Sequence, residues 1–123
     1  MRTDFHTHVL IVDDDCLIAM TLSLLIEDMG MTVCATAGSA EDAVALAQRD
    51  RPALVLMDVR LNGEKDGVDA ALAIHETVGS KVIFITASGE AETMTRIGKD
   101  HSSAVLIKPI TDQQLRDAIA KVC

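Results

Sequence analysis

Largely apolar runs cover residues 8–12, 53–57, 82–85 and 104–107, and longer stretches between them mix apolar and polar positions. Short continuous apolar runs suit strands buried on both faces, and the mixed stretches suit helices with one face on a core. The pattern predicts strands over 8–13, 32–37, 53–58, 81–86 and 104–108. Each is followed by a predicted helix, over 15–29, 39–51, 68–78, 90–99 and 111–122.

Local signals punctuate these elements. Gly30 sits where a left-handed residue closes a helix. Ser39 opens the second helix, with Glu41 and Asp42 suited to its first turn. Arg51-Pro52 ends it, because proline disfavours helical geometry in the residue before it. Residues 62–67 form a loop with two glycines, and Thr111-x-x-Gln114 is a capping box. Strand–helix alternation over this length implies an α/β fold, a doubly wound parallel sheet. A chain of 123 residues is one domain over 1–123, its core about 8–122, with no repeat or low-complexity tract. The last predicted helix reaches the end of the sequence, so a stand-alone or trimmed module is expected.

Composition narrows the function. A hydrophobic fraction of 49% with two Phe and no Trp or Tyr gives an aliphatic core. A net charge of −8 argues against a nucleic-acid partner, which calls for a basic footprint. Cys16, Cys34 and Cys123 are odd in number and show no C-x-x-C spacing, so a reducing, cytoplasmic setting is expected. Residues 1–8 lack a signal-peptide core, and no apolar stretch approaches the roughly 18 residues of a membrane span. A soluble protein without a membrane partner is expected.

The strand ends carry the chemistry. Ligands of a parallel sheet collect outside the carboxyl ends of its strands. There the sequence places Asp13, Asp14 and Asp15 after the first run, Asp58 after the third strand, Thr86 after the fourth and Lys108 after the fifth. Acids, a hydroxyl and an ammonium together describe a magnesium-dependent phosphoryl site. Helix capping explains one of the three adjacent acids, and a bland reading makes Asp15 the cap and leaves the others solvated. Hard oxygen ligands for Mg²⁺ explain the remainder. A cation shared by Asp13, Asp14 and Asp58 would keep Asp58 ionised and make it a nucleophile towards phosphorus. Thr86 alone reads equally well as a strand-end residue. Lys108, ending an apolar strand, needs an anionic partner. Pro109 follows, and its bond to Lys108 can be cis and redirect the chain.

Other residues read blandly. His6 and His8 lie in a terminal arm, and His75 and His101 read as surface residues. Cys16, near a helix start, reads as a small packed hydrophobe before a reactive thiol. The glycines form no dinucleotide-binding or Walker pattern.

Taken together, Asp13, Asp14, Asp58, Thr86 and Lys108-Pro109 resemble the receiver domain of two-component response regulators, across roughly residues 9–122. The resemblance implies a five-stranded (βα)5 flavodoxin-like sheet in the order 2-1-3-4-5. It implies phosphorylation of Asp58, with Asp14, Asp58 and the main-chain carbonyl of Arg60 ligating Mg²⁺ (or Mn²⁺) and Asp13 acting through water. The donor would be a sensor histidine kinase or a phosphotransfer protein. Lys108 would pair with the phosphoryl group and Thr86 would move to hydrogen-bond it. Such a chain is a signalling phosphoacceptor that assists its own phosphotransfer and slow dephosphorylation, not an enzyme in the usual sense. The side built from 90–99, 104–108 and 111–122, with Met94, Ile97, Val105 and Ile110, would serve effector contacts or self-association. The apolar breadth of the first helix, from Leu17 to Ile26, exceeds one stripe, and part of it would dock a kinase helix.

Departures from the family pattern bear on these expectations. Val105 stands where an aromatic residue is usual, so Thr86 has no aromatic rotamer to couple to. The loop after Asp58 lacks the usual Met-Pro and reads Val59-Arg60-Leu61-Asn62-Gly63-Glu64-Lys65-Asp66-Gly67, with Arg60 within reach of a phosphoryl group. Ala87 is small, as the family commonly has. Two rival readings stand beside the receiver. One is a receiver-like binding module that works without phosphate. The other is a phosphatase of the haloacid-dehalogenase type using Asp13, because Asp13-x-Asp15 and 65–69 mimic its motifs.

Overall fold

The computed structural model describes residues 7–59, 67–86 and 104–122. Strands β1 (His8–Val12), β2 (Thr32–Ala37), β3 (Leu54–Asp58), β4 (Lys81–Thr86) and β5 (Ala104–Ile107) form one sheet. All pairs are parallel and the order is β2-β1-β3-β4-β5, as the resemblance implies. The described helices are α1 (Cys16–Asp28), α2 (Ala40–Asp50), α3 (Gly67–Thr77) and α4 (Asp112–Val122). The helix expected over 90–99 lies outside the described residues, as do Met94, Ile97, His6, His101 and Ala87.

The period-two alternation of the strands divides the core. Leu10, Val12, Val55, Met57, Val82 and Phe84 pack with Ala40, Ala43 and Ala47 of α2 and Ala70, Ala71 and Ile74 of α3. Their chain neighbours Val9, Ile11, Leu54, Leu56, Ile83 and Ile85 pack with Leu22 and Ile26 of α1 and Leu115 and Ile119 of α4. Each fully buried Leu, Ile, Val, Met or Phe contributes about 1.5–3 kcal/mol by leaving water. Both faces of the central strands are therefore covered, which is why those runs are continuously apolar. At the sheet edge, β5 departs from this expectation: its residues are half-buried and Ile107 is 50% exposed.

Helix ends follow their sequence signals. The Asp15 carboxylate accepts the Leu17 and Ile18 N–H groups at 2.9 and 3.3 Å and starts α1. Gly30, at φ +89°, lies in the left-handed region beyond its last turn. Ser39 caps α2 by accepting the Asp42 N–H. Arg51 closes α2 in a left-handed conformation, φ 49° and ψ 60°. Thr111 and Gln114 exchange the two hydrogen bonds of the capping box, at 2.8 and 3.1 Å.

Candidate functional site

Register brings the chemistry together. Val12 is level with Met57, Asp58 with Ile85 and Thr86 with Ile107. The next residues, Asp13 and Lys108, therefore emerge beside Asp58 and Thr86 at the carboxyl edge of the sheet. The Lys108 N–H donates to the Thr86 carbonyl at 2.7 Å and fixes the chain leaving β5. Its bond to Pro109 is cis, as the sequence allowed.

The side chains converge. Lys108 Nζ lies 3.4 Å from Asp13 Oδ2 and 3.6 Å from Asp58 Oδ2. Asp13, Asp14 and Asp58 each offer a carboxylate oxygen, all within 4.8 Å of one another. Asp13 and Asp58 are buried, at 5% and 6% exposure, as is Thr86 at 2%, whereas Asp14 faces solvent. Asp13 is held by its Oδ1, which accepts the Asp15 N–H at 2.9 Å. The anionic partners demanded by Lys108 are thus Asp13 and Asp58.

Among the described residues, three carboxylates surround one ammonium, a formal excess of two negative charges. Like charges this close repel one another, and a divalent cation is the natural counter-charge. Opposed oxygens of a Mg²⁺ octahedron lie about 4.2 Å apart, from metal–oxygen distances near 2.1 Å. One oxygen from each of the three carboxylates lies within 4.8 Å of the others, close enough for a hard divalent ion to gather them with small side-chain adjustments. Arg60, whose carbonyl the resemblance adds to the ligands, lies outside the described residues.

Gly67, one of the two glycines in the loop expected over 62–67, is a site residue. It opens α3, and its N–H donates to the Val59 carbonyl at 2.8 Å. A Cβ placed there would collide with the Asp58 carbonyl oxygen. Only glycine lets the returning chain pass this close to the backbone that carries Asp58. The sequence signal was slight, a glycine at the start of an amphipathic stretch.

Several other residues find different roles. Asp15 caps α1, so the bland half of its reading holds. Cys16 is exposed at the first position of α1, which corrects its reading as a packed hydrophobe. Cys34 is half-buried with Sγ 3.4 Å from the Val9 carbonyl, and burial, with Asp50 nearby, pushes its thiol up. It is a packing group. His75 is half-buried on α3. Val105 packs against the Phe84 side of the core, but Ile110 belongs to the opposite, α1 side.

Beside Lys108, a cavity of about 490 Å³ is lined by Leu17, Ile18 and Leu25 of α1 and by Pro109 and Ile110. Leu17, Met20 and Leu24 are 74%, 60% and 63% exposed, and they form an apolar stripe that α1 does not spend on the core.

The sequence profile of the response regulator receiver domain matches residues 9–120. This chain belongs to the response regulator receiver family. Transcriptional regulatory protein PdtaR of Mycobacterium tuberculosis is 33% identical over 111 residues, covering 90% of this chain and 54% of that protein. Phyllosphere-induced regulator PhyR of Methylorubrum extorquens is 38% identical over 91 residues, covering 73% of this chain and 34% of that protein. The chain thus spans about half of PdtaR and a third of PhyR. Among solved structures, the signal receiver domain of a modulated diguanylate cyclase from Desulfovibrio desulfuricans superposes with a TM-score of 0.88 at 34% identity, covering 94% of this chain and 91% of that one. The receiver domain of Erythrobacter litoralis PhyR gives 0.83 at 30% identity, covering 94% and 88%. A receiver is a signalling module, and no described helix of this one is long and apolar enough to cross a membrane.

Proposed function

We propose that this receiver accepts a phosphoryl group on Asp58 from a phosphohistidine of a sensor histidine kinase or a phosphotransfer protein. The observation that carries the reading is the meeting of Asp13, Asp14, Asp58 and Lys108 in one pocket. An Asp58 carboxylate oxygen attacks phosphorus in line with the departing imidazole nitrogen. The oxygen–phosphorus bond forms as the phosphorus–nitrogen bond breaks, and the electron pair of that bond leaves on the histidine. Little more than positioning and charge neutralisation is required of the acceptor.

The residues divide these tasks. Asp14 and Asp58 would hold Mg²⁺, with the Arg60 carbonyl as a further ligand and Asp13, held by the Asp15 N–H, acting through water. The ion, when bound, supplies positive charge to oxygens that would otherwise repel. Lys108 exchanges its carboxylate partners for a phosphoryl oxygen. Thr86, at the end of β4, turns its hydroxyl to the phosphoryl group. With Val105 beside Phe84, that motion is read out without an aromatic partner on β5.

The exposed Leu17, Met20 and Leu24 stripe of α1 and the adjoining cavity beside Lys108 suit the apolar face of a donor helix. Such docking would bring a histidine on that helix to the Asp58 pocket. Effector contacts or self-association are assigned to the β5 side, where Ile107 is half exposed.

Calorimetric titration with beryllofluoride in the presence of Mg²⁺ tests the reading. The parent should bind it at one site, and Asp58→Asn should not. A silent titration of the parent would favour a binding module that works without phosphate.

A further inference from the structure

A second groove runs between the outward faces of α2 and α3, on the opposite side of the sheet from α1. Both helices return from parallel crossovers, so they run in the same direction, and their alanines allow close approach. Each presents the same outward series. On α2 it is Glu41, Val44, Ala45 and Gln48; on α3 it is Asp69, Leu72, Ala73 and Glu76. The spacing is i, i+3, i+4, i+7, the seam by which one helix receives another. A cavity of about 720 Å³ lies between these seams.

Chemistry selects the occupant. The middle of the groove is aliphatic, with Leu72 43% exposed and Val44 half-buried. Glu41 stands at one end and Glu76 at the other, and among the described residues no Lys or Arg lines it. Seven residues of α-helix rise about 10.5 Å, so the acidic ends lie about two turns apart. We propose that the α2–α3 groove docks a cationic amphipathic helix of a partner protein. Its apolar face would lie over Val44, Ala45, Leu72 and Ala73, with Lys or Arg at both ends. A second copy of this chain fits poorly, because it brings another eight negative charges. The inference does not depend on phosphorylation of Asp58.

Amide chemical shifts of the whole chain, titrated with synthetic peptides, test the proposal. The probe is a helical peptide of about 16 residues, long enough to hold its helix, with a central Leu/Ala face and Lys at both ends of it. One control replaces Lys by Glu, and another replaces the apolar face by Ser. The first peptide should shift amides of 41–48 and 69–76, and both controls should leave them unmoved. Glu41→Lys with Glu76→Lys should weaken binding about tenfold, since exposed ion pairs contribute modestly each. Leu72→Gln, at an exposed position, should abolish binding with the remaining amide spectrum intact. Absence of binding, equal binding of the Ser-faced peptide, or shifts centred on α1 or on Asp13, Asp14 and Asp58 would each overturn the proposal. So would shifts of the same amides on raising protein concentration alone, which would show self-association there.

Discussion

At Lys108, one ammonium offsets two buried carboxylates, and its removal exposes what the acidic pocket costs the fold. Lys108→Met removes the ammonium that pairs with both Asp13 and Asp58. Losing one partner of a fully buried pair costs about 3–5 kcal/mol; the Lys108 side chain is 23% exposed, so about 1–3 kcal/mol is expected after screening. Because a ligand of the folded state stabilises it by mass action, Mg²⁺ should restore more stability to the variant than it adds to the parent. Urea denaturation with and without Mg²⁺ measures both effects. Unchanged stability of the variant in metal-free buffer would contradict the electrostatic account. Gly67 sets a steric limit at the same site. Gly67→Ala should destabilise by about 2 kcal/mol or more, because the clash is with the Asp58 backbone and cannot be relieved by a side-chain rotation. The same variant should lose beryllofluoride binding, and a full-affinity, fully stable variant would dismiss the role.

At the scale of elements, the sequence was most legible where a local signal has a local cause. The β4 limits match the expectation over 81–86, and α1 begins and ends within a residue of it, because Asp15 and Gly30 act on their own neighbours. The second helix ends at the Arg51-Pro52 step for the anticipated reason, yet Arg51 itself enters the left-handed region instead of an extended one. That conformation costs a residue with a Cβ about 1–2 kcal/mol, and glycine recovers most of it while losing some chain entropy. Arg51→Gly should therefore stabilise the fold by about 0.5–1 kcal/mol, raising Tm by a few degrees. A lower Tm would show that the Arg51 side chain makes a compensating contact. Edge effects were not legible. The half-buried state of β5 depends on its place in the sheet, and Ile110 joins the α1 side because the chain turns at Pro109. Neither follows from the local pattern.

Across the whole molecule, the candidate site is a consequence of topology. Asp13 and Asp58 are 45 residues apart and Lys108 a further 50, yet parallel register sets their strand ends level. Residue types at strand ends therefore suffice to bring Asp13, Asp14, Asp58 and Lys108 together. Gly67 escaped because its constraint is a contact between two backbones, which leaves no pattern of residue types. Among the described residues, the α1 stripe, the α2–α3 groove and Ile107 at the β5 edge are surfaces where partners would find apolar footing. In this arrangement the proposed phosphoacceptor is Asp58. Incubation with a small-molecule phosphodonor, followed by mass-spectrometric mapping of the phosphoryl group, tests it most directly. A single Mg²⁺-dependent phosphoryl group on Asp58, absent from Asp58→Asn, is expected. Equal labelling of Asp58→Asn, or a phosphoryl group mapped to Asp13, would contradict it.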